Sequence, residues 1–209
     1  DAMDPAFCEQ AARGATAIFH CLNTEYSTGA WSTALPKLQA NLVRAAGKAG
    51  ARLVVLENLY MLGHPVGPLD DDSPLAPLSK KGRIRAELTE DLFEAHRRGE
   101  AQVVSGRAAH LFGPGVTQSI IGEALYERVL RGKSAQLFGD LETRHSFAFA
   151  QDVAAALIRL ATADESACGR AHVLPVMPAL TTREFVARLL QHLRSEAPIT
   201  RVPKPMLRF

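Results

Sequence analysis

Three short blocks rich in strand formers, separated by stretches of helical spacing, make up the first half of the chain. Residues Ala15–Asn23 follow Gly14 and read as a buried strand ending in His20, Cys21 and Asn23. Thr24 to Trp31 reads as a polar loop containing Gly29. Leu35, Leu38, Leu42, Val43 and Ala46 then recur at helical spacing, with Gly47 and Gly50 marking the helix end. Arg52–Leu56 is the next strand. A long connection follows, with Pro65, Pro68, Pro74 and Pro77; its acidic run Asp70–Asp72 reads as a solvated loop. Ile84, Leu88, Leu92 and Ala95 predict a second helix over Arg83–Arg98, and Ala101–Arg107 a third strand. Strand, helix, strand, helix, strand is the pattern of a parallel sheet with crossover helices, an α/β fold.

Beyond Arg107 the rhythm changes. Phe112–Gly115 predicts a turn and Gln118–Arg131 a helix carrying Ile120, Ile121, Leu125 and Val129. Short strands are expected near Ala135–Phe138 and His145–Ala150, then a helix capped by Asp152, then a strand over His172–Val176. Thr181 and Glu184 form a capping box that opens a helix running to about Leu193. The expected division is a sheet domain over residues 1–115 and a mixed region over 116–209 that includes a smaller lobe.

Composition narrows the function without naming it. The chain has 209 residues and a net charge of +2, too small to argue for nucleic acid. Its three cysteines, Cys8, Cys21 and Cys168, are odd in number and widely spaced, which points to a reduced, cytoplasmic setting. No C-x-x-C or H-E-x-x-H occurs, so no metal is expected, and no apolar run is long enough to span a membrane.

Candidate chemistry gathers where strands end, since ligands of open parallel sheets sit outside the carboxyl ends of the strands. Glu57, Asn58 and Tyr60 fall there after the second strand; His20, Cys21, Leu22 and Asn23 fall there after the first. His20 reads either as a cofactor contact or as a core histidine bonded to backbone. Tyr60 reads either as a proton donor or as packing with its hydroxyl bonded to a neighbour. Lys80, Lys81, Arg83 and Arg85 open a helix, where cations oppose the dipole; either an anionic ligand or a solvated basic face accounts for them.

Four segments in order resemble the extended short-chain dehydrogenase/reductase superfamily, specifically its NAD-dependent epimerase/dehydratase group. They are Ile18–Asn23, Leu53–Gly63, Gly106–Gly115 and Arg144–Ala154. The resemblance implies a Rossmann-like, doubly wound parallel sheet with a small C-terminal substrate lobe. It implies NAD or NADP as cofactor, a small-molecule substrate such as a nucleotide sugar, and a homodimer formed through the helices near Leu35–Gly50 and Arg83–Arg98, with apolar outward faces. It also implies that His20, Cys21, Leu22, Asn23, Glu57 and Arg83 border the cofactor, and that Arg107, Arg144 and His145 grip substrate.

Three departures qualify it. The glycine-rich dinucleotide turn, which the resemblance places before Asp1, does not occur, so an incomplete copy of a longer chain is expected. The family's Tyr-x-x-x-Lys is also absent. Matching at Glu87 puts Ser79 at the tyrosine place and Arg83 at the lysine place, and a register open by about two residues keeps Lys80, Lys81 and Arg85 in play. The usual Ser or Thr after the strand is replaced by Glu57 or Asn58. Tyr60 is then the expected acid/base group, with Lys80 or Lys81 lowering its pKa and Asn58 assisting. The alternative is a catalytically inactive NAD(P)-binding regulator or scaffold on the same fold.

Overall fold

The computed structural model describes residues 1–64, 67–117, 119 and 123–202. The chain divides into two units: Asp1–Ala108 with Ala154–Leu174, and Ala109–Val153 with Pro175–Phe209. Helix α1 (Pro5–Ala11) leads into β1 (Ala17–His20), α2 (Thr28–Ala49), β2 (Arg52–Glu57), α3 (Lys80–Arg97) and β3 (Gln102–Arg107). The following elements are β4 (His110–Phe112), α4 (Glu123–Leu130), β5 (Ala135–Phe138), β6 (Arg144–His145), β7 (Phe147–Phe149) and α5 (Ala150–Thr162). The chain continues through β8 (Ala171–Val173), β9 (Leu180–Thr181), α6 (Thr182–His192) and β10 (Ile199–Val202).

The first unit is built on a parallel sheet in the order β1-β2-β3-β8. Side chains alternate across a strand. Leu53, Val55 and Val103 therefore face α1, α2 and α3, packing with Leu42, Val43, Ala46, Leu92 and Ala95. The opposite face meets α5. A Cβ at Gly106 would lie 2.7 Å from Leu157, and Arg52 donates to the carbonyls of Leu160 and Ala163 at 2.9 and 2.6 Å. Helices on both faces explain why β2 and β3 read as near-continuous apolar runs.

Several elements differ from expectation for local reasons. Helix α1 exists because Asp4 caps it and Pro5 occupies its first turn, where the missing amide costs nothing. Helix α2 begins at Thr28, inside the expected loop: Ser27 caps it by accepting from Ala30 N at 3.1 Å. Gly29 and Pro36 hide this start in the sequence. Asp152 lies in the first turn of α5 rather than capping it, because the helix begins at Ala150. The outward faces of α2 and α3 carry Lys37, Arg44, Lys48, Glu87, Glu90 and Asp91, all exposed, instead of the apolar surface expected of a pairing face.

In the second unit β5 pairs with β10 in parallel, β4 with β7 in parallel, and β6 with β9 antiparallel. Its core gathers Leu125, Val129, Leu137, Phe147, Phe185 and Val186, with Phe147 and Phe185 rings 4.4 Å apart. The capping box of Thr181 and Glu184 is formed in full. The expected start of the helix at Gln118, with Ile120 and Ile121, lies outside the described residues, as do Pro65 and the segment 203–209.

Gly47 tests the packing of α2. A Cβ there would sit 2.0 Å from the backbone oxygen of Glu100, which no side-chain adjustment relieves. Gly47→Ala should lower stability by about 1–3 kcal/mol, read as a shift in denaturant midpoint. An unchanged midpoint would refute the contact.

Candidate active site

Strands β1 and β2 end at the same edge of the sheet, and the helices that follow them start there. The β1 end is open: Cys21, Leu22 and Asn23 are exposed, while His20 is buried. His20 Nδ1 accepts from Leu22 N at 3.3 Å, so its proton sits on Nε2. Burial, then the positive charge of Arg85, pushes His20 down to about 4, and it is neutral near pH 7. Burial of its sulfur pushes the Cys21 thiol up although the residue as a whole is exposed, which disfavours the thiolate.

The register pairs Glu57 with Arg107 and Val55 with Ser105, on the sheet face that α3 covers. Glu57 and Arg107, each 4% exposed, are ion-paired at 3.4 Å. Ser105 Oγ donates to Glu57 at 2.6 Å, and Thr89 Oγ1, from α3, donates at 2.5 Å. Sequence reasoning assigned Glu57 to cofactor and Arg107 to substrate. The structure spends both side chains on each other inside the first unit, because a buried carboxylate needs its donors close by.

Around Tyr60 the structure assembles a group that the sequence only partly foretold. Asn58 Oδ1 accepts from Tyr60 N at 3.0 Å and fixes the turn into the short 3₁₀ helix Tyr60–Leu62. The Tyr60 ring stacks on Trp31 with centroids 6.0 Å apart, and its hydroxyl meets that of Tyr26 at 3.1 Å. Tyr26 carries no signal in the sequence pattern, since it lies in Thr24–Trp31, whose composition predicts a polar loop. Ser79 caps α3 by accepting from Gly82 N, so it is engaged, and Arg83 points outward, exposed. Lys81 and Arg85, one turn apart, share the face toward the tyrosines. Lys81 Nζ lies 3.0 Å from the Tyr26 ring centroid and donates to the Tyr26 carbonyl at 3.1 Å. Arg85 stacks 4.6 Å from Trp31, and its Nη2 donates to Asn23 Oδ1 at 3.4 Å. Of the cations that the open register leaves in play, Lys81 and Arg85 lie on this face.

The Tyr60 shift runs opposite to expectation. Burial, then the bond to Tyr26, pushes Tyr60 up to about 12, with Arg85 opposing weakly. At neutral pH Tyr60 holds its proton. Arg85 is 8% exposed, and its Nε has no hydrogen-bond partner among the described residues. A cavity of about 500 Å³ opens here, lined by Tyr26, Thr28, Tyr60, His64, Lys80 and Lys81. A hollow of about 590 Å³ lies between the C-terminal halves of α2 and α3, at the other end of the crossover helices.

The acidic run is not simply solvated. Asp71 accepts from Val173 N at 2.6 Å and pairs with His172 at 3.1 Å, while Asp72 meets Arg170 at 3.4 Å, tying the long connection to β8. In the second unit, Arg144 donates to the Ala179 carbonyl and reaches Glu184 at 3.9 Å. His145 lies edge-on to His110 with centroids 5.6 Å apart. Burial, then the charge of His145, holds His110 below its ordinary value. Among the described residues no group of three or more His, Cys, Asp or Glu is arranged to hold a metal, and no described helix is long and apolar enough to cross a membrane.

The sequence profile of the NAD dependent epimerase/dehydratase family matches residues 1–174. No curated protein sequence matches significantly. Among solved structures, a dTDP-glucose 4,6-dehydratase from Streptomyces venezuelae, crystallised with NAD, superposes with a TM-score of 0.80 at 21% identity. That match covers 97% of this chain and 65% of the dehydratase, so the chain spans somewhat under two thirds of its length. A UDP-N-acetylglucosamine 4-epimerase from Methanobrevibacter ruminantium gives 0.81 at 20% identity, covering 97% of this chain and 68% of the epimerase. A dTDP-glucose 4,6-dehydratase from Bacillus anthracis gives 0.83 at 17%, covering 97% and 66%. At these identities the likeness is one of fold.

Two measurements test the site's electrostatics. Glu57→Ala leaves Arg107 buried without its counter-charge and should cost about 3–5 kcal/mol, against less for Glu57→Gln, whose amide oxygen still accepts. Equal, small losses in denaturation would refute the network. For His20, the unfolded chain takes up a proton near pH 6.5 and the folded protein only near 4. Its contribution is present above pH 6.5, and about 3 kcal/mol of it is lost as pH falls toward 4. His20→Gln should flatten the stability curve over that window; identical curves would refute the assignment.

Proposed function

Since the chain belongs to the NAD-dependent epimerase/dehydratase family, we propose that it serves an NAD(P)-dependent enzyme that oxidises or reduces a carbinol or carbonyl carbon of a small molecule, with nucleotide sugars as the substrate class. The observation that carries this reading is the convergence of a phenol pair and a lysine on one cavity at the carboxyl edge of the sheet. That chemistry replaces the missing Tyr-x-x-x-Lys by other means.

The residues present fit the ribose end of a dinucleotide. The buried Arg85 Nε, without an acceptor among the described residues, is a donor that a ribose hydroxyl could satisfy. Asn23, with Cys21 and Leu22 beside it on the exposed end of β1, offers the polar contact and the apolar floor. His20, neutral and bonded to backbone, shapes the turn beneath them. When bound, the nicotinamide supplies the hydride acceptor or donor. The chain's own residues hold the substrate oxygen and its proton. Tyr60 keeps a donor proton in place, Lys81 supplies positive charge, and Asn58 fixes the turn that presents Tyr60.

The test is fluorescence titration of the protein with NADH and NADPH, followed by incubation with NAD and either UDP-glucose or dTDP-glucose under proton NMR. Micromolar cofactor binding and the appearance of an epimer or keto sugar are expected. Failure to bind either nucleotide would overturn the reading.

A further inference from the structure

Tyr60 is poorly placed to exchange a proton by itself. Its ring is stacked on buried Trp31, its amide is tied to Asn58, and it is only 39% exposed. Tyr26 is 57% exposed and lines the same cavity. A hydroxyl has one proton to give and can accept as well. The two hydroxyls meet at 3.1 Å and either can donate, so the bond has two arrangements. In the arrangement where Tyr60 donates, the Tyr26 oxygen accepts and the Tyr26 proton points into the cavity, onto which the more exposed Tyr26 opens. Lys81 is held against the Tyr26 ring by its bond to the Tyr26 carbonyl, and Trp31 meets the ring edge-on at 5.5 Å. Tyr26 is therefore fixed on two sides and open on the third.

We propose that Tyr26 is the catalytic acid/base of this site, exchanging its phenolic proton directly with the substrate oxygen, while Tyr60 and Lys81 position it. This rests on the enzymatic reading above. In the reducing direction, the Tyr26 O–H bond breaks and its proton goes to the substrate carbonyl oxygen, as the carbon gains the hydride that the reduced nicotinamide cofactor supplies. The O–H electron pair stays on the Tyr26 oxygen. The hydrogen bond from Tyr60 and the ammonium of Lys81 stabilise that charge until water returns a proton. In the oxidising direction Tyr26 first gives its proton to water, and its phenolate oxygen then takes the proton of the carbinol, whose C–H hydride leaves for the oxidised nicotinamide cofactor.

The test compares Tyr26→Phe and Tyr60→Phe with the unmodified protein on the sugar it turns over, alongside NMR titration of ¹³Cζ-tyrosine. General acid–base catalysis is worth about 10²–10⁴-fold. Tyr26→Phe should lower kcat at least about a hundredfold with KM nearly unchanged, and Tyr60→Phe should lower it less. Tyr26→Phe should also bring the Tyr60 titration down from about 12 toward the ordinary tyrosine value, a change that a merely structural Tyr26 away from Tyr60 would not produce. Retained kcat in Tyr26→Phe, loss confined to Tyr60→Phe, or an unmoved Tyr60 titration would overturn this assignment alone. No turnover by the unmodified protein would overturn the functional reading and this proposal with it.

Discussion

A single buried carboxylate organises the carboxyl edge of the sheet. Glu57 ends β2 and accepts from Thr89 of α3 and from Ser105 and Arg107 of β3. A charge at 4% exposure is tolerable only with its partners in place, so those bonds join two strands and a helix. Once β2 is anchored there, the next residues leave the sheet together: Asn58 turns the chain and Tyr60 emerges beside α3.

Helix α3 then does two things with one face. Its interior positions, Leu88, Leu92 and Ala95, pack with the sheet and with α2, while its first turns present Lys81 and Arg85 to the aromatic group. Trp31 is the shared wall, touched by Tyr26, Tyr60, Lys81 and Arg85. Three segments far apart in sequence meet on one indole. The cations at the helix start, unfavourable to the dipole, are offset by ring faces and carbonyl oxygens.

The strand blocks, the crossover helices and the capping box of α6 were legible because they rest on local periodicity and short-range bonds. Glu57 reads from the sequence as a group just past the strand, beside the cofactor; β2 runs through it and turns it onto the covered face. The sequence did not reveal that Ser105, Arg107 and Thr89 would close around that side chain. Likewise Gly29 and Pro36 masked the start of α2, because breaker residues argue locally against a helix that tertiary packing of Trp31 and Leu35 supports.

What the sequence by itself determined is the α/β alternation and the family kinship, together with the absence of Tyr-x-x-x-Lys; each follows from residue type and spacing along one segment. Only the tertiary structure decided which phenols and which cations meet. Tyr26 lies 34 residues from Tyr60 and 55 from Lys81 along the chain. Their approach is set by strand register and helix packing rather than by spacing along the chain. The direction of the Tyr60 shift was decided there too, since burial against Trp31 and a phenol neighbour outweigh the more distant charge of Arg85.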